Sequence, residues 1–283
     1  MAVISFWGNS EKETGQTLTM VSVSSVMAIE HNYKILVVGT DFNDDTLEEC
    51  YWPRKTGNIN IQSMLGLEEK GNVGTISGVE GLARVVQSGR TGNDIVGNYT
   101  KPVFKDKRLD ILVPPEKTSK EKYNVICQNY PDIIKMANSD YNLVFVDIGD
   151  DMPKDVQKQL LQQSDIIVIG IKQGFNDVER FMELRKNDPM FSSKKVMVFI
   201  GKYDGYSRYN IKNLERYLKG KNMVLGISYN TLFYESAAEG KVIDFFFKMR
   251  SITGSDDRNA IFMDQNRYAC DNIMYKLKEL QIR

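Results

Sequence analysis

A loop that follows the first apolar run of the chain carries residues suited to phosphate binding. Residues 8 to 17 read GNSEKETGQT. In the phosphate-loop template G-x-x-x-x-G-K-[ST], the glycines allow close backbone approach, the lysine reaches the β- and γ-phosphates, and the hydroxyl binds Mg²⁺. The four template positions are occupied by Ser10, Gly15, Gln16 and Thr17. Glutamine therefore replaces the lysine, and serine replaces the first glycine.

The segments on either side of this loop supply the strand and the helix that such a loop requires. Residues 2–7 form a short apolar run typical of a buried strand. Residues 17–30 carry apolar side chains on two faces, as in a well-buried helix. A helix N-terminus offers free N–H groups and the positive end of its dipole, so phosphate can bind there without the lysine. On this loop alone, a phosphate site and an ordinary strand-to-helix turn are equally good interpretations.

Acidic residues stand where two other apolar runs end. Asp41 follows the run 34–40, and Asp147 ends the run 143–147. Because ligands bind at the carboxyl ends of parallel strands, we expect both acids to lie near the loop. Asp147 is placed to hold Mg²⁺ directly or through water, and Asp41 to orient an attacking water. Taken singly, each acid is better explained as a helix cap or an exposed loop residue; taken with the loop, we favour the site.

Apolar runs and amphipathic segments alternate along the rest of the chain. Continuous aliphatic runs of the kind found in buried parallel strands occupy residues 2–7, 34–40, 109–113, 143–147, 165–171, 196–201 and 223–227. Helical periodicity occupies residues 17–30, 78–88, 119–137, 153–163, 177–185, 209–218, 231–239 and 259–280, while 91–108 is irregular. The alternation predicts one α/β domain over residues 1–283, a doubly wound and mostly parallel sheet flanked by helices.

Composition narrows the functional class. The chain has 283 residues, of which 42% are hydrophobic, with 37 basic and 37 acidic residues. The balanced charge does not favour a dedicated nucleic-acid binder. Three widely spaced cysteines indicate neither a zinc site nor a disulfide framework. With no signal-peptide pattern and no apolar stretch of ~18 residues, we expect a soluble cytoplasmic protein.

The order of these features resembles the MinD/ParA group of deviant-Walker P-loop ATPases over nearly the whole chain. The resemblance is carried by the loop, the strand ends at Asp41 and Asp147, and the later segment GKYD at 201–204. In detail the chain looks most like the TadZ/CpaE-like ATPases of bacterial pilus assembly, on LDILVPP at 109–115 and LGISY at 225–229. The resemblance implies a P-loop NTPase fold with ATP or ADP and Mg²⁺ as cofactors.

The resemblance also implies roles for individual residues. Thr17 and Asp147 correspond to the Mg²⁺ site, and Asp41 corresponds to the catalytic residue that positions water for hydrolysis. The implied nucleotide-binding residues are Ser10, Glu11, Lys12, Glu13, Thr14, Gly15, Gln16, Thr17, Leu18, Gly201, Lys202, Ser228 and Tyr229.

The chain departs from the family pattern at several functional positions. The signature lysine that reaches across a dimer falls on Glu11, although Lys12 is adjacent, and the P-loop lysine falls on Gln16. The first acid of the Asp-x-Asp motif is Gly39. The asparagine that reads adenine in many relatives is Gly201. The base contacts then depend on Lys202 and on the backbone around residues 228 and 229.

The glutamine at position 16 is expected to affect hydrolysis more than binding. It donates hydrogen bonds but cannot neutralise phosphate charge. Exchanging a charged for a neutral contact costs about 1 to 2 kcal/mol, or roughly tenfold in affinity. Loss of a preorganised cation in the transition state lowers the rate by roughly 10² to 10³ if the oxyanion-donor precedent transfers. We therefore predict weakened nucleotide binding with slow or absent hydrolysis.

In the intact family, ATP closes a face-to-face dimer on which partner proteins dock. The resemblance therefore implies a homodimeric assembly or localisation factor, with partners in a membrane-associated machine such as a pilus or secretion system. A nucleotide-independent scaffold is the first alternative. A ParA-type partition ATPase is the second, disfavoured by the balanced charge. A related bacterial tyrosine kinase fits poorly, because only Tyr268 and Tyr275 lie near the C-terminus.

The last predicted helix leaves a further alternative open. Ile273, Leu277 and Leu280 form a spaced stripe with Lys276, Lys278 and Arg283 on other faces. Such a stripe could bind the inner membrane face peripherally, as in a MinD-like switch. Packing of the stripe on the sheet is the favoured interpretation, because apolar stripes are the rule for surface helices.

Overall fold

The computed structural model describes residues 1–8, 14–53, 78–90, 92, 94–104, 106–115, 118–220 and 222–281. Its strands are β1 (Ala2–Trp7), β2 (Ile35–Gly39), β3 (Lys101–Pro102), β4 (Leu109–Leu112), β5 (Leu143–Ile148), β6 (Ile166–Ile171), β7 (Val196–Tyr203) and β8 (Val224–Ser228). Its α-helices are α1 (Gln16–Glu30), α2 (Thr46–Glu49), α3 (Gly78–Gln87), α4 (Lys120–Cys127), α5 (Tyr130–Asp140), α6 (Lys154–Gln163), α7 (Phe175–Asn187), α8 (Ile211–Tyr217), α9 (Thr231–Ala238), α10 (Val242–Met249) and α11 (Arg258–Gln281).

These strands form one sheet in the order β3-β4-β2-β5-β1-β6-β7-β8. All neighbours pair in parallel except the short edge strand β3, which runs antiparallel to β4. The chain starts in the middle of the sheet, so the connections leaving β1 and β2 proceed toward one edge and those after β6 toward the other. The predicted doubly wound, mostly parallel α/β fold is confirmed.

Helices cover both faces of the sheet because the strands are apolar on both sides. One buried cluster joins alternate strand residues to α1, α9, α10 and α11. The second joins the opposite strand residues to α3 through α8. Burial on both faces explains the unbroken aliphatic runs of the sequence, since a parallel sheet leaves no solvated face to be marked by alternating polar residues.

The prediction of one helix over 119–137 was wrong. The structure has α4 and α5 there, with the break at Asn129. Pro131 occupies the first turn of α5, where its missing N–H costs nothing, but it disfavours a continuous helix through the preceding residues. The segment 91–108 was predicted as irregular, but it contains β3 and a 3₁₀ turn at Val96–Asn98. Helix α10 was not predicted.

The apolar stripe of α11 faces the core. Ile273 and Leu277 are buried, and Leu280 packs against the same cluster. This supports the interpretation that the stripe packs on the protein rather than on a membrane. Arg283, which was assigned to another face of this helix, lies outside the described residues. None of the helices in the described part of the chain combines the length and the apolar character needed to cross a bilayer.

Candidate functional site

The start of α1 lies at the carboxyl edge of the sheet and is held there by close backbone packing. Gly15 precedes the helix with φ 75°, a left-handed conformation that favours glycine. A Cβ on Gly201, at the end of β7, would collide with the carbonyl oxygen of Thr14. Because the loop backbone fills the space beside residue 201, an asparagine side chain has no room there in this conformation. The departure from the family pattern at this position thus has a packing explanation.

A polar cleft opens beside the first turn of α1. Its described lining residues are Thr14, Gly15, Gln16, Thr17, Leu18, Asp41, Asp44, Thr46, Ile148, Gly149, Asp150 and Asp151. The cleft therefore brings the described part of the predicted loop, residues 14–18, together with Asp41, which follows β2. Four carboxylates line it, and none of its described lining residues is a lysine or an arginine.

Asp147 lies beneath this cleft at the end of β5, next to β1. Its side chain is 1% exposed. The carboxylate oxygen Oδ1 accepts a hydrogen bond of 2.6 Å from Gln16 Nε2. Within the described structure, Oδ2 is buried without a hydrogen-bond partner. A buried carboxylate with one unsatisfied oxygen is costly to fold, which indicates a site kept for a ligand or a strained role.

The backbone that carries Asp41 is held by contacts with two other elements. The Tyr123 hydroxyl of α4 donates to the Thr40 carbonyl at 2.5 Å. The Thr40 hydroxyl donates to the Asp147 carbonyl and accepts from the Gly149 N–H, both at 2.8 Å. A Cβ on Gly149 would collide with the Asp41 carboxylate, so glycine allows that side chain to lie against the β5 end. Asp41 is therefore positioned from both sides of the sheet edge.

Burial and mutual repulsion weaken the acidity of this cluster. Burial, together with the charges of Asp147 and Asp44, raises the pKa of Asp41 to about 8. Burial also raises the pKa of Asp147, while the neighbouring Thr17 hydroxyl and the Gln16 amide lower it. A divalent cation placed between these groups would favour their charged forms.

A second, smaller cavity of about 50 Å³ adjoins the cleft on the other side of α1. Its lining residues are Gly15, Leu18, Thr19, Ser22, Gly201, Lys202, Ile227, Ser228, Tyr229, Asn230, Phe233, Tyr234 and Phe262. The predicted base-contact residues Gly201, Lys202, Ser228 and Tyr229 therefore lie together, and Gly15 and Leu18 line both cavities. The lining is mostly apolar, as expected for a pocket that buries a planar ring.

Four of the predicted loop residues are not described by the structure. Ser10, Glu11, Lys12 and Glu13 lie outside the described residues. The family-based lysine substitution at position 12 therefore stays a prediction.

Sequence reasoning did not assign several residues that the structure brings to the site. Asp44, Asp150 and Asp151 line the polar cleft, and their position just after strand ends was the available signal. Gln265 of α11 was not foreseeable, because it reaches the site from the last helix. Its Oε1 accepts from the Ser228 N–H at 2.8 Å, and its Nε2 donates to the Ser228 hydroxyl at 3.0 Å.

The donor set fits Mg²⁺ only when a ligand supplies further oxygens. Across the described ranges, no group of three His, Cys, Asp or Glu side chains is arranged to hold a metal ion. The Thr17 hydroxyl lies beside the Asp147 carboxylate, whose Oδ2 has no described partner. Mg²⁺ in phosphate sites is typically held by one or two protein oxygens, water and substrate phosphate. The residues present therefore fit an Mg²⁺ that arrives with a phosphorylated ligand.

Several solved structures share this architecture. A ParA family ATPase from Chlorobium tepidum TLS aligns with a TM-score of 0.66 and 16% identity, covering 94% of this chain and 97% of that one. The septum site-determining protein MinD from Pyrococcus horikoshii OT3, complexed with Mg-ADP, aligns with a TM-score of 0.55 and 14% identity, covering 97% and 98%. A chain of the MinC:MinD cell division complex of Aquifex aeolicus aligns with a TM-score of 0.53 and 16% identity, covering 96% of each chain.

The fold is that of the ParA and MinD ATPases. At identities of 14 to 16%, the likeness establishes the fold and not the activity. No protein-family model matches the sequence, and no curated protein matches it. In the ParA/MinD fold of this chain, the polar cleft and the apolar pocket meet at the start of α1.

Proposed function

We propose that this chain is a MinD/ParA-like nucleotide-binding assembly or localisation factor, with weak ATP or ADP binding and slow or absent hydrolysis. The observation that supports this most is the continuity of two unlike cavities. A carboxylate-lined cleft and an apolar pocket share Gly15 and Leu18 at the N-terminus of α1. A nucleotide is divided in the same way, because its phosphates are charged and bind metal, whereas its base is flat and mostly apolar.

Residues at the start of α1 and at the strand ends would bind different parts of the ligand. The first N–H groups of α1 follow a glycine that has no side chain to cap them, so they are suited to a phosphate. Thr17 and Asp147 would hold Mg²⁺, which would neutralise phosphate charge when bound. Asp41 would accept a hydrogen bond from a water and orient it.

Slow turnover follows from the charges of the cleft. Four lining carboxylates repel phosphate, and no described lining residue offers a positive charge in return. Phosphoryl transfer depends on positioning and on electrostatic stabilisation of the transferred group. Without a cation at position 16, this stabilisation would come from the metal and from the helix N-terminus.

The lining of the apolar pocket supports a base site that makes few hydrogen bonds to the edge of the base. Its described lining contains no carboxylate, and the end of β7 is occupied by Gly201. Contacts to the base would then come from apolar side chains and from the backbone near Lys202 and Ser228. We expect modest preference between adenine and other purines.

Dimer formation and partner binding are extensions of the same proposal. The MinC:MinD complex of Aquifex aeolicus is an example of a protein of this fold bound to a partner protein. We propose a homodimer here, with protein partners in a membrane-associated assembly such as a pilus or secretion machine, and a cytoplasmic location that includes the inner membrane surface. A ParA-type partition role is the alternative, and retention on DNA at physiological salt would favour it.

Isothermal calorimetry with Mg·ATP, Mg·ADP and Mg·GTP tests the nucleotide site. We expect binding in the range of roughly 10 μM to 1 mM, and turnover well below roughly 1 s⁻¹. Thr17→Ala should weaken binding, whereas Thr118→Ala, which changes a residue outside both cavities, should not. Absence of binding at millimolar nucleotide would exclude the site, and turnover near 1 s⁻¹ would exclude the slow-hydrolysis proposal.

A nucleotide-independent scaffold is the second candidate function. The acidic lining of the cleft favours it, because a site that repels free phosphate is poorly suited to a rapid nucleotide switch. Sedimentation velocity with and without Mg·ATP separates the two. A dimer whose dissociation constant is the same under both conditions would favour the scaffold, and a dimer that requires nucleotide would favour the switch.

A further inference from the structure

The side chain of Gln16 is turned into the protein, toward two strand ends. Its Nε2 lies 2.6 Å from Asp147 Oδ1, 3.1 Å from the Phe6 carbonyl oxygen and 3.2 Å from the Ile148 carbonyl oxygen. Phe6 belongs to β1, and the other two residues end β5. An amide nitrogen has two hydrogens, so the three acceptors already exceed its donor capacity.

This geometry differs from what the sequence position implies. A residue at the P-loop lysine position is expected to reach toward phosphate. All three acceptors of Gln16 Nε2 are protein oxygens, and the shortest contact is to a carboxylate. The orientation of the amide is fixed by these acceptors, because the carbonyl oxygen in the same place would face three other oxygens.

We propose that Gln16 is a positioning residue for Asp147 and not a phosphate ligand. The inference rests on the proposed nucleotide site, in which Asp147 serves the metal. Gln16 holds Oδ1 and leaves Oδ2, the oxygen without a described partner, for the cation or its water. In this arrangement the glutamine supports metal-dependent binding through the carboxylate, even though it does not touch the nucleotide.

The physical basis is the cost of keeping a carboxylate buried. Asp147 is 1% exposed, so its charged form depends on the donors that surround it. A hydrogen bond to a charged group is stronger than one between neutral groups. The other two Gln16 acceptors are backbone oxygens at the ends of β1 and β5, so the same amide also fixes the relative position of the loop and the acid.

A double-mutant cycle tests the inference. Gln16→Met keeps the length of the side chain and removes the donor, and Asp147→Asn removes the charge that the donor serves. In otherwise unchanged protein, Gln16→Met should raise the Mg²⁺ concentration needed for half-maximal nucleotide binding by about 10- to 100-fold. In Asp147→Asn protein, the same substitution should change it less than about threefold. Gln162→Met, an exposed change on α6, is the matched control and should have no effect.

The double-mutant cycle is followed by two measurements, so that the positioning role of Gln16 and the nucleotide site are tested separately. The first is the Mg²⁺ dependence of binding, followed with a fluorescent ATP analogue. The second is the equilibrium constant of urea unfolding without nucleotide, in which Gln16→Met should show the same coupling to Asp147→Asn. If no nucleotide binds but the unfolding cycle is coupled, Gln16 still positions Asp147 and only the proposed function fails.

Additive effects would overturn the inference. If Gln16→Met weakens nucleotide binding equally with and without the Asp147 carboxylate, Gln16 contacts the phosphate directly. Gln16→Asn provides a second variant should the methionine protein not fold. This substitution keeps the amide but shortens the side chain by one methylene. If Gln16 positions Asp147, Gln16→Asn should raise the Mg²⁺ concentration needed for half-maximal nucleotide binding as much as Gln16→Met does. Unchanged Mg²⁺ dependence in Gln16→Asn protein would also overturn it.

Discussion

Two buried aspartates of the sheet have similar burial and hydrogen bonding but differ in the charges of the residues around them. Asp147 of β5 and Asp110 of β4 are each 1% exposed. Each has one oxygen bonded to a neutral donor, Gln16 Nε2 at 2.6 Å and the Tyr141 hydroxyl at 2.7 Å. The second oxygen of each has no partner in the described structure, and burial raises the pKa of both.

The charges around the two carboxylates differ in sign. Asp44 and Asp150 raise the pKa of Asp147 further, whereas Lys34 and Lys107 lower the pKa of Asp110. Asp147 lies at the carboxyl end of its strand beside the cleft, and Asp110 is the second residue of its strand, at the other end. Among the described residues, lysines therefore lower the pKa of Asp110, and only acids are found to act on Asp147 by charge. A buried acid that lacks a nearby cation is the one suited to bind a cation from solution.

The largest expected difference between the two acids is in nucleotide binding. Asp147→Asn should weaken Mg·ATP binding by about 10- to 100-fold, because it removes a charge-assisted contact with the metal or its water. Asp110→Asn should leave the affinity within about twofold, since Asp110 is the second residue of β4, at the end of its strand opposite the one beside the cleft. Calorimetry on both variants measures this. Equal losses in the two proteins would contradict the distinction drawn from their surroundings.

Removing the single donor of Asp110 should affect stability alone. Tyr141→Phe leaves the carboxylate without its hydrogen bond and should lower the free energy of unfolding by about 1 to 3 kcal/mol at pH 7. The variant raises the folded-state pKa of Asp110 further, so the loss should shrink as the pH falls through this raised pKa and be smallest below about 4, where the acid is protonated in both states. Urea unfolding at several pH values measures this.

The control for this prediction is Tyr217→Phe, which alters a half-exposed tyrosine on α8 and should have little effect. Nucleotide affinity should be unchanged in Tyr141→Phe protein. A pH-independent loss of stability would show that Tyr141 acts through packing and not through the carboxylate.

The acidic cleft should make the protein less stable at high pH when no metal is present. Burial and the neighbouring carboxylates raise the pKa of Asp41 from 3.8 to about 8. The folded state therefore binds more protons than the unfolded state in this window, and stability falls as the pH rises through it. Asp41→Asn should flatten this decline and make the protein more stable than its parent at pH 8, measured by thermal unfolding in EDTA.

Mg²⁺ with nucleotide should reverse the same decline in the parent, because ligand binding to the folded state favours the ionised acids. Asp45→Asn changes an exposed acid outside the cleft lining and serves as the matched control. A parent protein whose stability does not change between pH 5 and 8 in EDTA would contradict the prediction.

The smallest expected effect concerns the lysine near Asp110. Lys34 is paired with Asp94 at 3.0 Å on a partly exposed surface, so Lys34→Met should lower stability by less than about 1 kcal/mol. It should nevertheless raise the pKa of Asp110, because a favourable positive charge is removed. NMR titration of the Asp110 carboxyl carbon measures the direction. A downward shift would show that Lys34 does not contribute to the field at this acid.

Much of the fold was predictable because each strand is marked locally. The run 143–147 and the observed strand Leu143–Ile148 differ by one residue, and α1 begins one residue before its predicted start. The break between α4 and α5 was missed because the apolar periodicity continues across Asn129, although Pro131 was a visible signal. Helix α10 was missed because Phe245, Phe246 and Phe247 are consecutive and show no helical spacing. In the structure the first two are buried and Phe247 is 48% exposed.

Local sequence patterns were enough to predict a mostly parallel sheet, the start of α1, and the presence of Thr17, Asp41 and Asp147 at one edge. These follow from local patterns, because the carboxyl ends of parallel strands meet on one side of the sheet. The direction of Gln16 toward Asp147 and the contact of Gly201 with Thr14 were decided only by tertiary structure. Both join residues more than a hundred positions apart, and no local spacing reports which atoms of such distant segments come within bonding distance.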